Sequence, residues 1–202
     1  MSRHTLVWTG SIQYPGLVWF QVPSDGSCFF HSLLLAYNQN YRLEKQNGHS
    51  MTRKDIVKKL RHELSLLLAI PINPLEPTSP RHYDLLARGS LARTSTTFHE
   101  YSLENMQRVL DSDQWIDYMY FEFICDALDK DLYILDFKKQ DVYLTREEES
   151  YQKGRDSIVL GFTGSHYVLV GILDENGVTK TVFSPNTRFI TTLGERQSQL
   201  QH

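Results

Sequence analysis

The sequence predicts an α+β fold, a central and mostly antiparallel sheet flanked by helices. Three observations lead there. Runs rich in Val, Ile, Tyr, Phe and Trp open the chain and return after Lys130, while the stretch between them carries helical spacing. That order, strands then helices then strands, belongs to an α+β chain rather than to alternating βα units. Finally, Asp174-Glu175-Asn176-Gly177 separates two apolar runs, and Asn-Gly in that setting marks a tight antiparallel hairpin.

Each element follows from local chemistry. Thr5 to Val22 reads as one or two strands turned at Pro15-Gly16, and Pro23 to Ser27 is a turn cluster. From Ser27 or Cys28 to Tyr37 the chain is apolar nearly all round, as a buried helix is. Asn38 to His49 is polar and reads as a loop. Ser50 or Thr52 caps a second helix, along which Ile56, Val57, Leu60, Leu64, Leu67 and Leu68 keep helical spacing up to Pro71. The basic residues Arg53 to Arg61 alternate with these apolar positions and read as that helix's solvated side.

Pro71 to Pro80 carries four prolines and is a surface loop. Gly89-Ser90 and the run Thr94 to Thr97 interrupt helix between Tyr83 and Phe98. Ser102 starts a helical stretch to Leu110, and Asp113 offers a cap for a helix from Trp115 to Leu128. Leu132 to Phe137, Ser157 to Phe162 and His166 to Leu173 are strands, with Asp141 to Thr145 pairing the first and Val178 to Phe183 the last. Glu147 to Ser157 reads as a charged loop, and the polar tail 194–202 as frayed.

Composition sets bounds on function. The chain has 202 residues, 41 % hydrophobic and 22 % charged. That suits one domain over 1–202 with a core from about residue 5 to 190, able to close without metal or disulfide. Net charge is −3, with basic residues dispersed, so nucleic acid is not an expected partner. No run approaches the roughly 18 apolar residues of a membrane span. Met1 to Gly10 lacks the apolar core of an export signal. Two cysteines, Cys28 and Cys125, fit reduced thiols in the cytoplasm. Cys125 sits in an apolar helical pattern and reads as a small buried hydrophobe.

Cys28 has two readings, a buried cysteine at a helix start or a nucleophile. A thiol nucleophile needs a lowered pKa, a base, a group that orients the base, and donors for an oxyanion. Cys28 follows a turn containing Gly26 and begins a helix, whose N-terminal dipole favours thiolate and whose first amides are free. Of eight histidines, most lie in polar segments. His31 is one turn along the same helix and flanks the thiol. His166 opens an apolar strand after Gly164-Ser165, where a side chain is both fixed and reachable.

Asp25-Gly26-Ser27-Cys28-Phe29-Phe30-His31-Ser32 resembles the nucleophile motif of the ovarian-tumour (OTU) family of deubiquitinases. Ser157 to Leu160 followed by His166-Tyr167 resembles that family's second signature, and Tyr101 to Leu128 its intervening helical region. The resemblance spans about Gln21 to Ile172. It implies a papain-like fold and a thiol-dependent deubiquitinase acting on ubiquitin, polyubiquitin or a ubiquitin-like modifier attached to other proteins. It implies no cofactor or metal, and a monomer. Cys28 would attack the carbonyl at the modifier's C-terminus. His166 would take the thiol proton and return it to the leaving amine. The backbone at Asp25 and Cys28 would hold the oxyanion. A compact form like this one resembles viral or bacterial effector members, for which host cytosol is the expected location.

One position departs from the family. Members often carry Asp or Asn two residues after the histidine, where this chain has Val168. Counting outward from the Asn176-Gly177 turn sets Ser184 to Thr187 opposite His166, which makes Asn186 a candidate orienting residue. Asn186 also reads as a turn residue after Pro185, and the Asp25 side chain is a further candidate. Two alternatives to the deubiquitinase stay open. One is a relative that binds ubiquitin with little cleavage, and the other is a different papain-like thiol hydrolase.

Overall fold

The computed structural model describes residues 1–93 and 100–202, so the expected helix break at Thr94 to Thr97 lies outside the described residues. Two N-terminal strands, β1 (Arg3–Thr5) and β2 (Leu17–Phe20), precede helix α1 (Cys28–Tyr37). The segment expected as a loop instead forms the short helix α2 (Gln39–Leu43) and a small hairpin of β3 (Lys45–Gln46) and β4 (His49–Ser50). Asn38 makes this possible, because its side chain accepts from the Tyr41 amide at 2.9 Å and caps α2.

Helix α3 (Arg53–Leu68) is capped by Thr52, whose hydroxyl accepts from the Asp55 amide. Short helices α4 (His82–Arg88) and α5 (Ser90–Arg93) follow, then α6 (Leu103–Leu110), capped by Ser102. A 3-10 turn over Tyr118–Tyr120, capped by Asp117, leads into α7 (Phe121–Leu128). The expected helix from Trp115 capped by Asp113 therefore starts later, and Asp117 rather than Asp113 is the cap.

The C-terminal half holds β5 (Asp131–Asp136), β6 (Asp141–Val142), α8 (Glu148–Tyr151), β7 (Ser157–Phe162), β8 (Tyr167–Leu173), β9 (Thr179–Lys180), β10 (Val182–Phe183) and α9 (Arg188–Gln201). Two expectations are corrected. Within the expected charged loop, α8 buries Glu148, which accepts from the Thr145 and Arg146 amides and so ties the turn before it. The expected frayed tail is helix α9. Phe189, Ile190, Leu193 and Gln197 recur on one buried stripe, and each buried apolar side chain contributes roughly 1.5–3 kcal/mol, enough to dock an otherwise polar helix.

The main sheet runs β1-β2-β8-β7-β5-β6, with β9 on β8 and β10 on β7. All pairings are antiparallel except β5 with β7. Strand alternation divides two cores. Ile158, Leu160, Tyr167 and Leu169 face α1, α3, α6 and α7, while Val159 and Val170 face α9 through Phe189, Ile190 and Leu193. Helix α1 is thus covered on one side by the sheet and on the other by helices, which is why it is apolar nearly all round. Its N-terminus meets the sheet where β8 begins.

Candidate active site

Cys28 is the first residue of α1. Its sulfur lies 3.5 Å from the Tyr167 amide nitrogen, which donates to it. Tyr167 follows His166, so the end of the β7–β8 turn sets the residue after the histidine against the thiol. That turn is closed by the Thr163 amide and hydroxyl, both donating to the His166 carbonyl at 3.0 and 3.2 Å. Gly164 adopts φ +100° within it, a conformation that favours glycine. The Trp115 side chain and the Phe29 backbone also favour the Cys28 thiolate.

The nucleophile turn is built from its own short-range bonds. The Asp25 carbonyl accepts from the Cys28 amide at 3.2 Å, and Asp25 Oδ1 accepts from the Ser27 amide at 2.9 Å. The amides of Asp25 and Gly26 have no acceptor among the described residues. The free donors for an oxyanion are therefore Asp25 and Gly26, and the Cys28 amide is engaged in the turn.

Gly26 has a reason that the sequence did not show. A Cβ placed there would lie 1.6 Å from the Asp113 carbonyl oxygen. Close approach of the segment before Trp115, rather than bending, requires glycine here.

The other Asp25 oxygen faces His31. Oδ2 lies 3.3 Å from His31 Nε2, and His31 Nδ1 lies 2.7 Å from the Tyr41 hydroxyl. His31 and Tyr41 are wholly buried. Both His31 nitrogens are occupied, so His31 supports the turn and is not a free base. The Asp25 carboxylate makes no hydrogen bond to His166 but acts on it through space, favouring the protonated ring.

Burial dominates the titration of the reacting pair. It pushes the Cys28 thiol up, against the donors Tyr167, Trp115 and Phe29. The expected lowering by the helix start does not prevail, because a sulfur enclosed by Phe29, Trp115 and Tyr167 loses water that a thiolate needs. Burial also holds His166 below its ordinary value, opposed by Asp25 and the Val22 carbonyl. Both directions favour the neutral forms of Cys28 and His166, and a neutral imidazole is the form that can accept a proton.

The orienting partner is the incomplete part. His166 Nε2 is buried and has no hydrogen-bond partner. Val168 is buried and packs toward Gly161. The structure does not bring Asn186 to His166. The hairpin forms at Asn176-Gly177 as expected, but β9 pairs with β8 only at Ile172↔Lys180 and Leu173↔Thr179. From Val170 to Tyr167 that edge of β8 is taken by β7, and β2 holds the other edge. The returning chain shifts to Ser157 and Ile158 of β7. Asn186 ends in the exposed Ser184–Thr187 turn before α9, past the end of β10 and away from the Tyr167 end of β8.

Two residues to which the sequence assigned no role at the site lie against it. Trp115, 44 % exposed, stacks on Tyr167 with centroids 5.4 Å apart and planes at 17°. No periodicity pointed to it. Arg61, expected on a solvated face, is 1 % exposed. It occupies the apolar seam Val57, Arg61, Leu64, Leu68 of α3, and that spacing was the available signal.

No family model matches the chain, and no curated protein matches it in sequence. Solved structures do. An ovarian-tumour (OTU) domain in complex with ubiquitin is 17 % identical, covering 91 % of this chain and 84 % of that one, with a TM-score of 0.50. An OTU deubiquitinase from Wolbachia pipientis wMel is 17 % identical over 82 % of this chain and 93 % of its own, with a TM-score of 0.43. The Hazara virus OTU bound to ubiquitin is 16 % identical over 78 % and 82 %, with a TM-score of 0.42. At such identities the likeness concerns architecture, and the mixed sheet with α1 set against the start of β8 is the fold of the OTU domains.

Proposed function

We propose that this protein is a cysteine deubiquitinase, hydrolysing peptide or isopeptide bonds at the C-terminus of ubiquitin or a ubiquitin-like modifier. The observation that carries the reading is the 3.5 Å contact of the Cys28 sulfur with the amide of the residue after His166. In this reading His166 takes the Cys28 proton and the sulfur attacks the scissile carbonyl. The oxyanion is met by the Asp25 and Gly26 amides. The imidazolium returns its proton to the leaving amine, water hydrolyses the thioester, and Cys28 is restored. Ubiquitin as substrate is supported by the ubiquitin-bound OTU domain of the same fold. The same reading takes the protein as a single-domain monomer acting in the cytoplasm. Among the described residues no helix is long and apolar enough to cross a membrane.

A specific observation favours a second reading, a ubiquitin-binding protein of weak activity: His166 Nε2 has no hydrogen-bond partner among the described residues. One experiment separates the two. A ubiquitin probe with a C-terminal electrophile is expected to label wild-type protein and to leave Cys28→Ala and His166→Ala unlabelled, since the pair acts as a unit. Diubiquitin cleavage reads turnover in parallel. Ubiquitin binding without labelling would support the weak relative. Turnover of small amides without ubiquitin would support a different thiol hydrolase.

A further inference from the structure

Arg61 is the largest wholly buried side chain in the described residues, yet it packs in a seam where an aliphatic residue would fill the space. Its hydrogen bonds go to neutral oxygens of two separate segments. On one side Nη1 donates to the Ser27 hydroxyl at 2.8 Å and the Gly26 carbonyl at 3.4 Å. On the other, Nε donates to the Leu110 carbonyl at 2.9 Å, and Nη2 to the Val109 and Gln114 carbonyls at 2.8 Å each. The guanidinium plane lies over the Phe30 ring at 4.6 Å. Burying a cation is costly unless every donor is satisfied, and this fork satisfies its donors only while both segments keep their places.

Those segments carry the donors around the thiol. The first is the nucleophile turn with the free Asp25 and Gly26 amides. The second leads into Trp115, which stacks on Tyr167, the residue whose amide meets the Cys28 sulfur, and which favours the thiolate. Gly26 lies against the Asp113 carbonyl, a close approach with no directional bond.

We propose that Arg61 is a positioning residue that locks the nucleophile turn to the 109–115 segment, holding the Asp25 and Gly26 amides and the Trp115 indole around the Cys28 sulfur. The role rests on the hydrolase reading for its purpose but not for its test. Lysine cannot replace it, because one ammonium nitrogen does not reach oxygens on both sides of a planar fork.

The test compares wild type, Arg61→Lys and Ser27→Ala. Ser27 makes no side-chain cap bond to α1, so its removal deletes the Arg61 contact and little else. Alkylation of Cys28 by iodoacetamide is followed by intact mass, with Cys28→Ala as control. Cys125 is also buried and its thiol is pushed far up by burial, and the Cys28→Ala control reads any alkylation there. Folding is checked by melting curves.

Arg61→Lys keeps the charge, and its alkylation at pH 7 is expected to slow by at least about tenfold, as loss of aligned donors leaves less thiolate. Ser27→Ala is expected to slow by about threefold, one hydrogen bond's worth. Rates within about twofold of wild type in both variants would overturn the proposal and make Arg61 a packing residue. If Arg61→Lys does not fold, Ser27→Ala decides by the same criterion. Wild-type protein that is alkylated but forms no ubiquitin adduct would remove the deubiquitinase reading and leave the Arg61 comparison intact.

Discussion

Gly26→Ala puts the geometry of the nucleophile turn to its hardest test. An alanine Cβ would sit 1.6 Å from the Asp113 carbonyl oxygen and 2.8 Å from its carbon, whereas ordinary contact begins at 3.4 Å. The two segments must part by about 1.8 Å, the difference between 3.4 and 1.6 Å. Neither can yield alone, since Arg61 binds the Gly26 carbonyl and Ser27 hydroxyl together with the Gln114 carbonyl. Overpacking alone costs roughly 1–3 kcal/mol. Stretching one charge-assisted bond to Arg61 adds about 1.5–3 kcal/mol.

A total near 3–5 kcal/mol lowers the melting temperature by about 6–20 °C in a chain of this size, at about 2–4 °C per kcal/mol. In the molecules that remain folded, Cys28 is displaced relative to Trp115 and Tyr167. A misplacement of about 1 Å costs on the order of 100-fold in rate. Differential scanning fluorimetry and labelling by the ubiquitin probe read the two effects. A variant melting within about 2 °C of wild type and labelling at an undiminished rate would refute the close approach and the Arg61 lock with it.

Other outcomes follow from the same site. Asn186→Ala is expected to leave activity within about twofold of wild type, since it changes an exposed turn far from His166. A 10-fold or greater loss of kcat/KM would restore it as an orienting residue. The acid limb of kcat/KM against pH should have its midpoint below about 6.5, because burial lowers the His166 pKa and the base must be neutral. A midpoint above that value would refute the assignment of burial as the dominant influence. Stability should follow the same sign. His31 and His166 are both lowered by burial, so below about pH 6.5 the unfolded chain binds protons that the folded chain does not. Melting temperature should therefore fall between pH 7.5 and 5.5, and His31→Gln should flatten that slope.

Local chemistry alone determined much of this protein. Period-2 and period-3.6 patterns placed the strands and helices of the core, because side-chain alternation is a property of the backbone and needs no tertiary contact. The turn at Asn176-Gly177 formed where expected, since its conformation is set by Gly177 at φ +79°. The candidate pair Cys28 and His166 was legible because both sit at element ends beside glycine turns.

What only the tertiary structure decided concerns groups whose surroundings come from distant segments. Asn186 followed correctly from hairpin counting, but β7 already holds the edge of β8 that it needed. The tail read as frayed because its sequence is polar, yet its few apolar residues find the outer face of the sheet. Arg61 looked solvated because charge predicts exposure, while four carbonyls and the Ser27 hydroxyl from two remote turns supply its five hydrogen bonds. Gly26 read as a bend and proved to be a point of close approach, since a Cβ is excluded there by a carbonyl 87 residues away in sequence, from Gly26 to Asp113. Sequence patterns specify which face of an element is buried. Only packing specifies which groups from other segments arrive there, and that decides the burial, hydrogen bonding and pKa of Cys28 and His166.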